Sequence, residues 1–295
     1  MSPSSFRKVA LICCILVPLP AIAWWETGHR IIARIAAAHL TPAARARVAR
    51  LLDVADTPDA VADALARAST WADETRKETG TGSWHYINLT IQDSRSDFAL
   101  RCQDDNCAPV RLREFVSQLR SQAATYRSSD LDALRYVIHL AGDIQQPLHT
   151  ISNADLGGNC ERLDPPVGEA ADLHALWDSG LLYRFHRNDR WLAAALERQI
   201  ESMDAGEARR LAEGTVDDWT WETHNLAIRA VYQALHIPVQ PVEFPASCAE
   251  APPAITGLQL DISRTYLNGM KPLVRGQLIK AGLRLAKLLN QSFAP

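Results

Sequence analysis

The sequence predicts an all-α fold, and three observations carry that prediction. Leu131, Leu134, Ile138 and Ala141 recur at helical spacing, as do Val274, Leu278, Ala281, Leu285 and Leu288. Thr41-Pro42 pairs a good N-cap with proline at the first helical position. No long period-2 alternation occurs. In chain order the expected helices cover roughly 28–39, 42–52, 58–77, 111–127, 130–145, 169–185, 190–203, 215–236 and 258–292. Irregular stretches interrupt them at 79–110, rich in Gly, Asp and Cys, and at 146–168, which carries Pro147, Gly157, Gly158, Pro165 and Pro166. A Pro-rich loop, 237–255, precedes the last helix. With no internal repeat or low-complexity linker, one multi-helix domain is the simplest account.

Composition limits the function classes. The 295 residues hold 31 Lys and Arg against 34 Asp and Glu, a formal charge of -3, with 47% hydrophobic and 22% charged residues. That balance excludes a disordered tail, a collagen-like fibre and a multi-span membrane protein. It also lacks the broad positive field of a protein that grips nucleic acid by its surface.

The N-terminus reads as an export signal, residues 1–23. Arg7 and Lys8 precede an apolar run from Val9 to Pro18, and Ala21-Ile22-Ala23 supplies a small-x-small cleavage pattern. The run is short for a bilayer span. Cleavage would leave a domain over 24–295 that starts at Trp24, secreted or periplasmic and without a membrane span. Its 31 Lys and Arg fall to 29 when Arg7 and Lys8 leave, and 34 acidic residues then give a formal −5. Cys102, Cys107, Cys160 and Cys248 remain and allow three pairings. The short Asp/Asn turn between the first two favours Cys102–Cys107 with Cys160–Cys248, and the lack of CxxC spacing favours disulfides over a thiolate metal site.

The chemistry sits in histidines and aspartates. His139 and Asp143 lie four apart on one expected helix, so both side chains project from the same face, and His174 and Asp178 repeat the arrangement. His149 follows Pro147, where the first of these helices must end. Imidazole nitrogen and carboxylate oxygen are both zinc donors. One such pair is indistinguishable from a surface ion pair; two pairs plus His149 point to metal. Asp73 and His85 each sit beside tryptophan, at Trp71 and Trp84, and taken singly read as a surface carboxylate and a loop histidine. His29 lies five residues beyond the expected new N-terminus, whose α-amine, with an ordinary pKa of about 7.7–8.0, is easily deprotonated by a metal.

Together these segments carry a resemblance. Trp24-x4-His29, Trp71-Ala-Asp73-x2-Arg76, Trp84-His85-Tyr86-Ile-Asn88, His139-Leu-Ala-Gly-Asp143-Ile-Gln-Gln-Pro-Leu-His149, Gly157-Gly158-Asn159 and His174-Ala-Leu-Trp-Asp178 appear in order. The sequence resembles the zinc-dependent type I nucleases, the single-strand-specific nucleases of the S-one/P-one type. Trp219-Thr-Trp221-Glu-Thr-His224 resembles a later helix of that family. The likeness runs from Trp24 to about Ala227, and the last 68 residues carry no motif of it.

The resemblance implies the mainly α-helical fold of zinc phospholipase C and these nucleases, with three zinc ions in a cleft. One zinc would take Asp73, His85, His139 and Asp143, and a second His149, His174 and Asp178. The third would take the amine and carbonyl of Trp24, His29 and the other oxygen of Asp143. Such a cluster suits hydrolysis of phosphodiesters in single-stranded DNA and RNA to 5′-phosphate products, with 3′-nucleotidase activity on nucleotides as a side reaction. Asp73 would orient the attacking water, and Arg76 would clamp phosphoryl oxygens with its planar fork; its plain alternative is a helix salt bridge. Tyr86 would stack on a base, Asn88 would meet its edge, and Asn159 would border the cleft. Tyr86 replaces the Phe of fungal members, and Asn88 an Asp found in some.

Other features read plainly. His39, His186 and His236 are expected to be solvated, and His224 to be structural rather than a ligand. Asn88-Leu-Thr90 and Asn290-Gln-Ser292 fit the glycosylation sequon, a pattern common by chance. The expected species is a monomeric enzyme. The rivals are a zinc-dependent phospholipase C and a non-catalytic zinc-binding structural protein.

Overall fold

The computed structural model describes residues 24–121, 128–185 and 188–294. The expected signal sequence, the end of the helix expected over 111–127, and His186 lie outside the described residues. The chain starts with α1 (Trp25–Ala38), α2 (Pro42–Leu51), α3 (Pro58–Ala68) and α4 (Trp71–Thr79). The Thr41 and Thr57 hydroxyls accept from Ala44 N and Ala60 N at 3.2 and 3.3 Å, and proline follows each cap. After an irregular stretch come α5 (Ala108–Ser121) and α6 (Ser128–Asp143).

Two expectations need correction in this half. The helix expected over 58–77 is broken at Ser69-Thr70 into α3 and α4. The stretch 146–168 is not all loop, because β1 (Arg162–Val167) pairs antiparallel with β2 (Ala170–Asp172) and parallel with β3 (Gln259–Leu260). This small sheet, ordered β2-β1-β3, takes residues that the helices expected over 169–185 and 258–292 had claimed. Pro165 and Pro166 inside β1 donate no ladder hydrogen bond, so the strand gives no ordinary β pattern.

A short α7 (Leu173–Ala175) runs through a π turn, Leu176–Gly180, into α8 (Leu181–Tyr183). Then follow α9 (Asp189–Glu201), α10 (Ala205–Ala212), which the sequence reading missed, and α11 (Val216–Ala227). The latter is capped by a reciprocal Thr215–Asp218 box. After α12 (Pro253–Thr256), the long α13 (Arg264–Ser292) closes the chain.

Buried apolar side chains form one main cluster from Trp24 to Leu289, with a small satellite of Ile87, Leu89, Cys102 and Cys107. α13 lies against α1, α5 and α6, and α6 also touches α1 and α4. Leu134, Val137, Leu140 and Ala141 of α6 are buried, and so are its polar His139 and Asp143. Burying a carboxylate without a partner is costly, so a charge partner for Asp143 must lie close by. Disulfides join Cys102 to Cys107 and Cys160 to Cys248, with Cα–Cα distances of 5.4 and 5.2 Å. Among the described residues no helix is long and apolar enough to cross a membrane.

Candidate metal centre and nucleic-acid cleft

The first group of donors converges on the C-terminal end of α6. His139 and Asp143, one turn apart, approach to 3.2 Å (Nε2–Oδ2). His85, ending the 3-10 turn Gly82–His85, brings Nδ1 to 3.1 Å from Asp143 Oδ2 and 3.0 Å from His139 Nε2. Asp73, from the first turn of α4, puts Oδ1 3.5 Å from His85 Nδ1 and 3.7 Å from His139 Nε2. His29 of α1 stacks on His139 with ring centroids 3.9 Å apart and sets Nε2 3.4 Å from Asp143 Oδ1. Gly142 permits that stacking, since a Cβ there would fall 2.8 Å from His29 Nδ1.

The second group lies beside the first. His149 ends the 3-10 turn Pro147–His149, while His174 and Asp178 come from α7 and the π turn. His174 Nε2 is 3.2 Å from Asp178 Oδ2, and His149 Nε2 is 3.7 Å from Asp178 Oδ1. His149 Nδ1 also lies 3.5 Å from Asp143 Oδ1, so Asp143 stands between the two groups. The backbone nitrogen of Trp24 donates to Asp178 Oδ1 at 3.3 Å, and its indole donates to Gly142 O at 3.1 Å. Trp24 N therefore faces the second group, while His29 faces the first.

These side chains suit a divalent cation. The donor atoms fall into three clusters, each within 4.8 Å: His29, Asp73, His139; His85, His139, Asp143; and His149, His174, Asp178. Both ring nitrogens of His29, Nε2 of His85, Asp143 Oδ1 and Asp178 Oδ2 are buried with no hydrogen-bond partner. Leaving so many polar atoms unsatisfied is expensive unless something else meets them. The outward ring nitrogens are already committed. Nδ1 of His139, His149 and His174 donates to the carbonyls of Ser69 (2.7 Å), His85 (2.9 Å) and Gly157 (2.7 Å). That fixes each tautomer and turns the Nε2 lone pair inward, the usual support of a metal-bound histidine.

One of these carbonyls comes from a break the sequence did not predict, and another from the Gly157-Gly158-Asn159 motif. Ser69 O is exposed by the α3–α4 break, where the end of a helix leaves carbonyls without helical partners. Gly157 O belongs to a turn with φ +64°, and a Cβ at Gly157 would sit 2.5 Å from Leu148 O. Gln146 was also missed: its amide bridges from Asp178 Oδ1 to the Leu148 N–H.

Without metal, the charges are apportioned unevenly. Burial alone would depress His139 and His174, but the carboxylates beside them outweigh it and lift each to about 9. Burial wins at His149, pushed down to about 4, and at His29, also lowered. Burial would raise Asp143 and Asp178, but the neighbouring imidazoles hold both below the usual carboxylate range.

Arg76, Tyr86, Asn88 and Asn159 line one cleft of about 320 Å³ together with His85, His149 and His174. Arg76 Nη1 is 3.4 Å from Asp73 Oδ1. Tyr86 is exposed, and the Asn159 amide donates to Leu156 O at 2.6 Å. Leu156, another wall of the cleft, had no signal in the sequence beyond preceding Gly157. His224 is buried away from the donor groups; Nδ1 donates to Thr150 O at 3.0 Å, and burial pushes its pKa to about 4. It braces the residue after His149. His236 is exposed, whereas His39, expected to be solvated, is half-buried and 2.7 Å from Glu197 Oε1.

The chain matches the family described as S1/P1 Nuclease over residues 24–294. Endonuclease 2 of Arabidopsis thaliana is 27% identical over 280 residues, spanning 92% of this chain and 90% of its own. Nuclease P1 of Penicillium citrinum is 24% identical over 278 residues, spanning 91% and 97%. Nuclease S1 of Aspergillus oryzae (strain ATCC 42149 / RIB 40) is 30% identical over 166 residues, 54% of each chain.

Proposed function

This chain belongs to the S1/P1 nuclease family, and from that premise we propose a zinc-dependent phosphodiesterase that cuts single-stranded DNA and RNA endonucleolytically and leaves 5′-phosphates. The observation that carries the reading is the set of buried, unpartnered nitrogen and oxygen atoms of three His/Asp groups beside a cleft that also holds Arg76 and Tyr86. Asp73, His85, His139 and Asp143 would hold one ion, and His149, His174 and Asp178 a second. His29, Asp143 and the amine and carbonyl of Trp24 would hold a third, once cleavage frees the Trp24 nitrogen from its contact with Asp178. That last assignment requires removal of residues 1–23 and places the enzyme outside the cytoplasm, where its two disulfides persist. Bound zinc lowers the pKa of water toward neutrality and offsets charge on phosphate.

The protein's own residues do the rest. Asp73 accepts a hydrogen bond from the attacking water and aims its lone pair at phosphorus. The Arg76 guanidinium, kept near by the Asp73 carboxylate, meets two phosphoryl oxygens through its planar fork as negative charge builds on them. Tyr86 offers a ring face to an unpaired base, and Asn88 and Asn159 offer amides to its edge. Stacking is tolerant of sequence but needs a base free of its duplex, which selects single strands.

The test is metal analysis paired with digestion. The mature protein should contain zinc near three equivalents and convert denatured DNA and single-stranded RNA to 5′-phosphorylated fragments, with all cutting lost on chelation and restored by zinc. Turnover of phosphatidylcholine but not of nucleic acid would replace this reading with a phospholipase C. Zinc-loaded protein without turnover of either would make it a structural zinc protein.

A further inference from the structure

A second hollow of about 400 Å³ adjoins the cleft, and Tyr86 and Asn88 border both. Its other walls include Leu100, Arg101, Asn106 and Phe244. Among the described residues six large apolar side chains are exposed, and Tyr86, Leu100 and Phe244 (40%, 64% and 47%) are three of them. Single exposed apolar residues are ordinary, but three around one polar-edged hollow mark a binding surface.

The walls are built rather than loose. The Cys102–Cys107 disulfide closes the turn that carries Gln103 to Asn106. Cys160–Cys248 ties the loop bearing Phe244 to the Gly157-Gly158-Asn159 turn of the cleft. That loop is fixed again where Gln240 N donates to Asn153 Oδ1 (2.8 Å) and Gln92 Nε2 to Gln240 O (2.9 Å). Arg101 is clamped by two bonds to Asp93, at 2.7 and 2.8 Å, and its guanidinium carbon lies 5.1 Å from the Phe244 ring centroid.

The chemistry of these walls selects the ligand. Arg101 is the cation among the lining residues, and two of its donors are spent on Asp93. Asp104 adds negative charge. The hollow is therefore poorly suited to a phosphate, yet it offers an aromatic face and the amides of Asn88, Asn106 and Gln103. An unpaired nucleobase, apolar on its faces and polar along its edge, fits that combination.

We propose that this hollow is a second base subsite, with Phe244 as its stacking platform, for the next nucleotide outward from the one at Tyr86. The proposal rests on the single-strand nuclease reading above. It adds a selection step: consecutive bases must part to enter two hollows either side of Tyr86, which a stacked duplex resists.

The test uses the metal-loaded protein and two substrates, a single-stranded decanucleotide and a dinucleoside monophosphate too short to reach the hollow. Phe244→Ala should raise KM on the decamer so that kcat/KM falls about tenfold, within the range that removing one stacking partner produces. On the dinucleotide it should change kcat/KM less than about twofold by the same reasoning. Phe244→Trp should restore the decamer value, which a merely damaged loop would not do. Equal losses on both substrates, no loss on the decamer, or no rescue by tryptophan would overturn the subsite. If the unaltered enzyme cuts neither substrate, it is the nuclease reading that fails.

Discussion

Glu161→Gln should stabilise this protein, by an amount that grows as the pH rises. Glu161 is fully buried, and neither of its carboxyl oxygens has a hydrogen-bond donor facing it. Asp155, buried beside it, accepts from Asn153 N (2.8 Å), Gly157 N (3.0 Å) and the Tyr232 hydroxyl (2.7 Å). Those donors are spent on Asp155 and none reaches Glu161, so burial favours the protonated form of Glu161. Burial, then the Asp155 charge and the shared hydrogen bond, push Glu161 up to about 10 from its ordinary 4.5. The folded state thus holds a proton that the unfolded chain releases above about pH 4.5. Stability is whole below that pH and falls by about 1.4 kcal/mol per unit as pH rises toward 10. At pH 7, some 2.5 units above the unfolded value, the cost is about 3 kcal/mol. Glutamine has the same shape and donates to Asp155 without a proton to hold, so it removes that cost. Denaturant unfolding of metal-saturated, disulfide-intact protein between pH 6.5 and 9 should show the variant ahead, with a gap widening by about 1.4 kcal/mol per unit. Parallel curves, or a variant less stable at pH 8, would refute a protonated, buried Glu161.

Three other changes probe the centre. Asp143→Asn should cut metal content and reduce phosphodiester cleavage by at least about a hundredfold if, as proposed, Asp143 is shared between two ions; full activity with unchanged zinc would contradict a bridging role. Gly157→Ala forces a side chain onto a positive-φ turn 2.5 Å from Leu148 O, and should cost about 1–3 kcal/mol in unfolding and loosen metal at His174; an unchanged melting point would show that the turn yields freely. Arg76→Lys retains charge but loses the planar fork, so kcat should fall about tenfold or more with KM little changed; an equal rise in KM would assign Arg76 to ground-state binding instead.

Legibility followed the range of the forces involved. The i, i+4 pairs His139–Asp143 and His174–Asp178 were readable because a helix fixes their relation locally. Grouping Asp73, His85 and His29 with them took the family resemblance, since the contacts joining α1, α4 and α6 leave no trace in spacing. The break at Ser69-Thr70 escaped notice because no Gly or Pro marks it. Tertiary contact supplies the reason for it, as His139 takes up the Ser69 carbonyl. β1 was hidden by its two prolines, and α10 is a two-turn helix on the polar stretch after α9. Glu161 looks like one more acidic residue after Cys160, and only the packing around it makes it a buried acid.

A formal charge of -3 excludes a broad basic grip on nucleic acid, but it leaves room for positive charge concentrated at the donor groups. Around the donor groups the buried carboxylates are Asp73, Asp143 and Asp178, and Arg76 is the one Lys or Arg side chain lining the cleft. Without metal, His139 and His174 are protonated near neutral pH, so three carboxylates, two imidazoliums and Arg76 sum to about zero and give phosphate no net attraction. The three dications of the proposed centre would change that: against three carboxylates they would leave a formal +3, and the −5 of a chain cleaved after Ala23 would become +1. Attraction for substrate would then be focused at the donor groups instead of being spread across a basic surface. It follows that the metal-stripped protein should lose affinity for single strands as well as activity. A nuclease that gripped DNA by surface lysines would lose only activity.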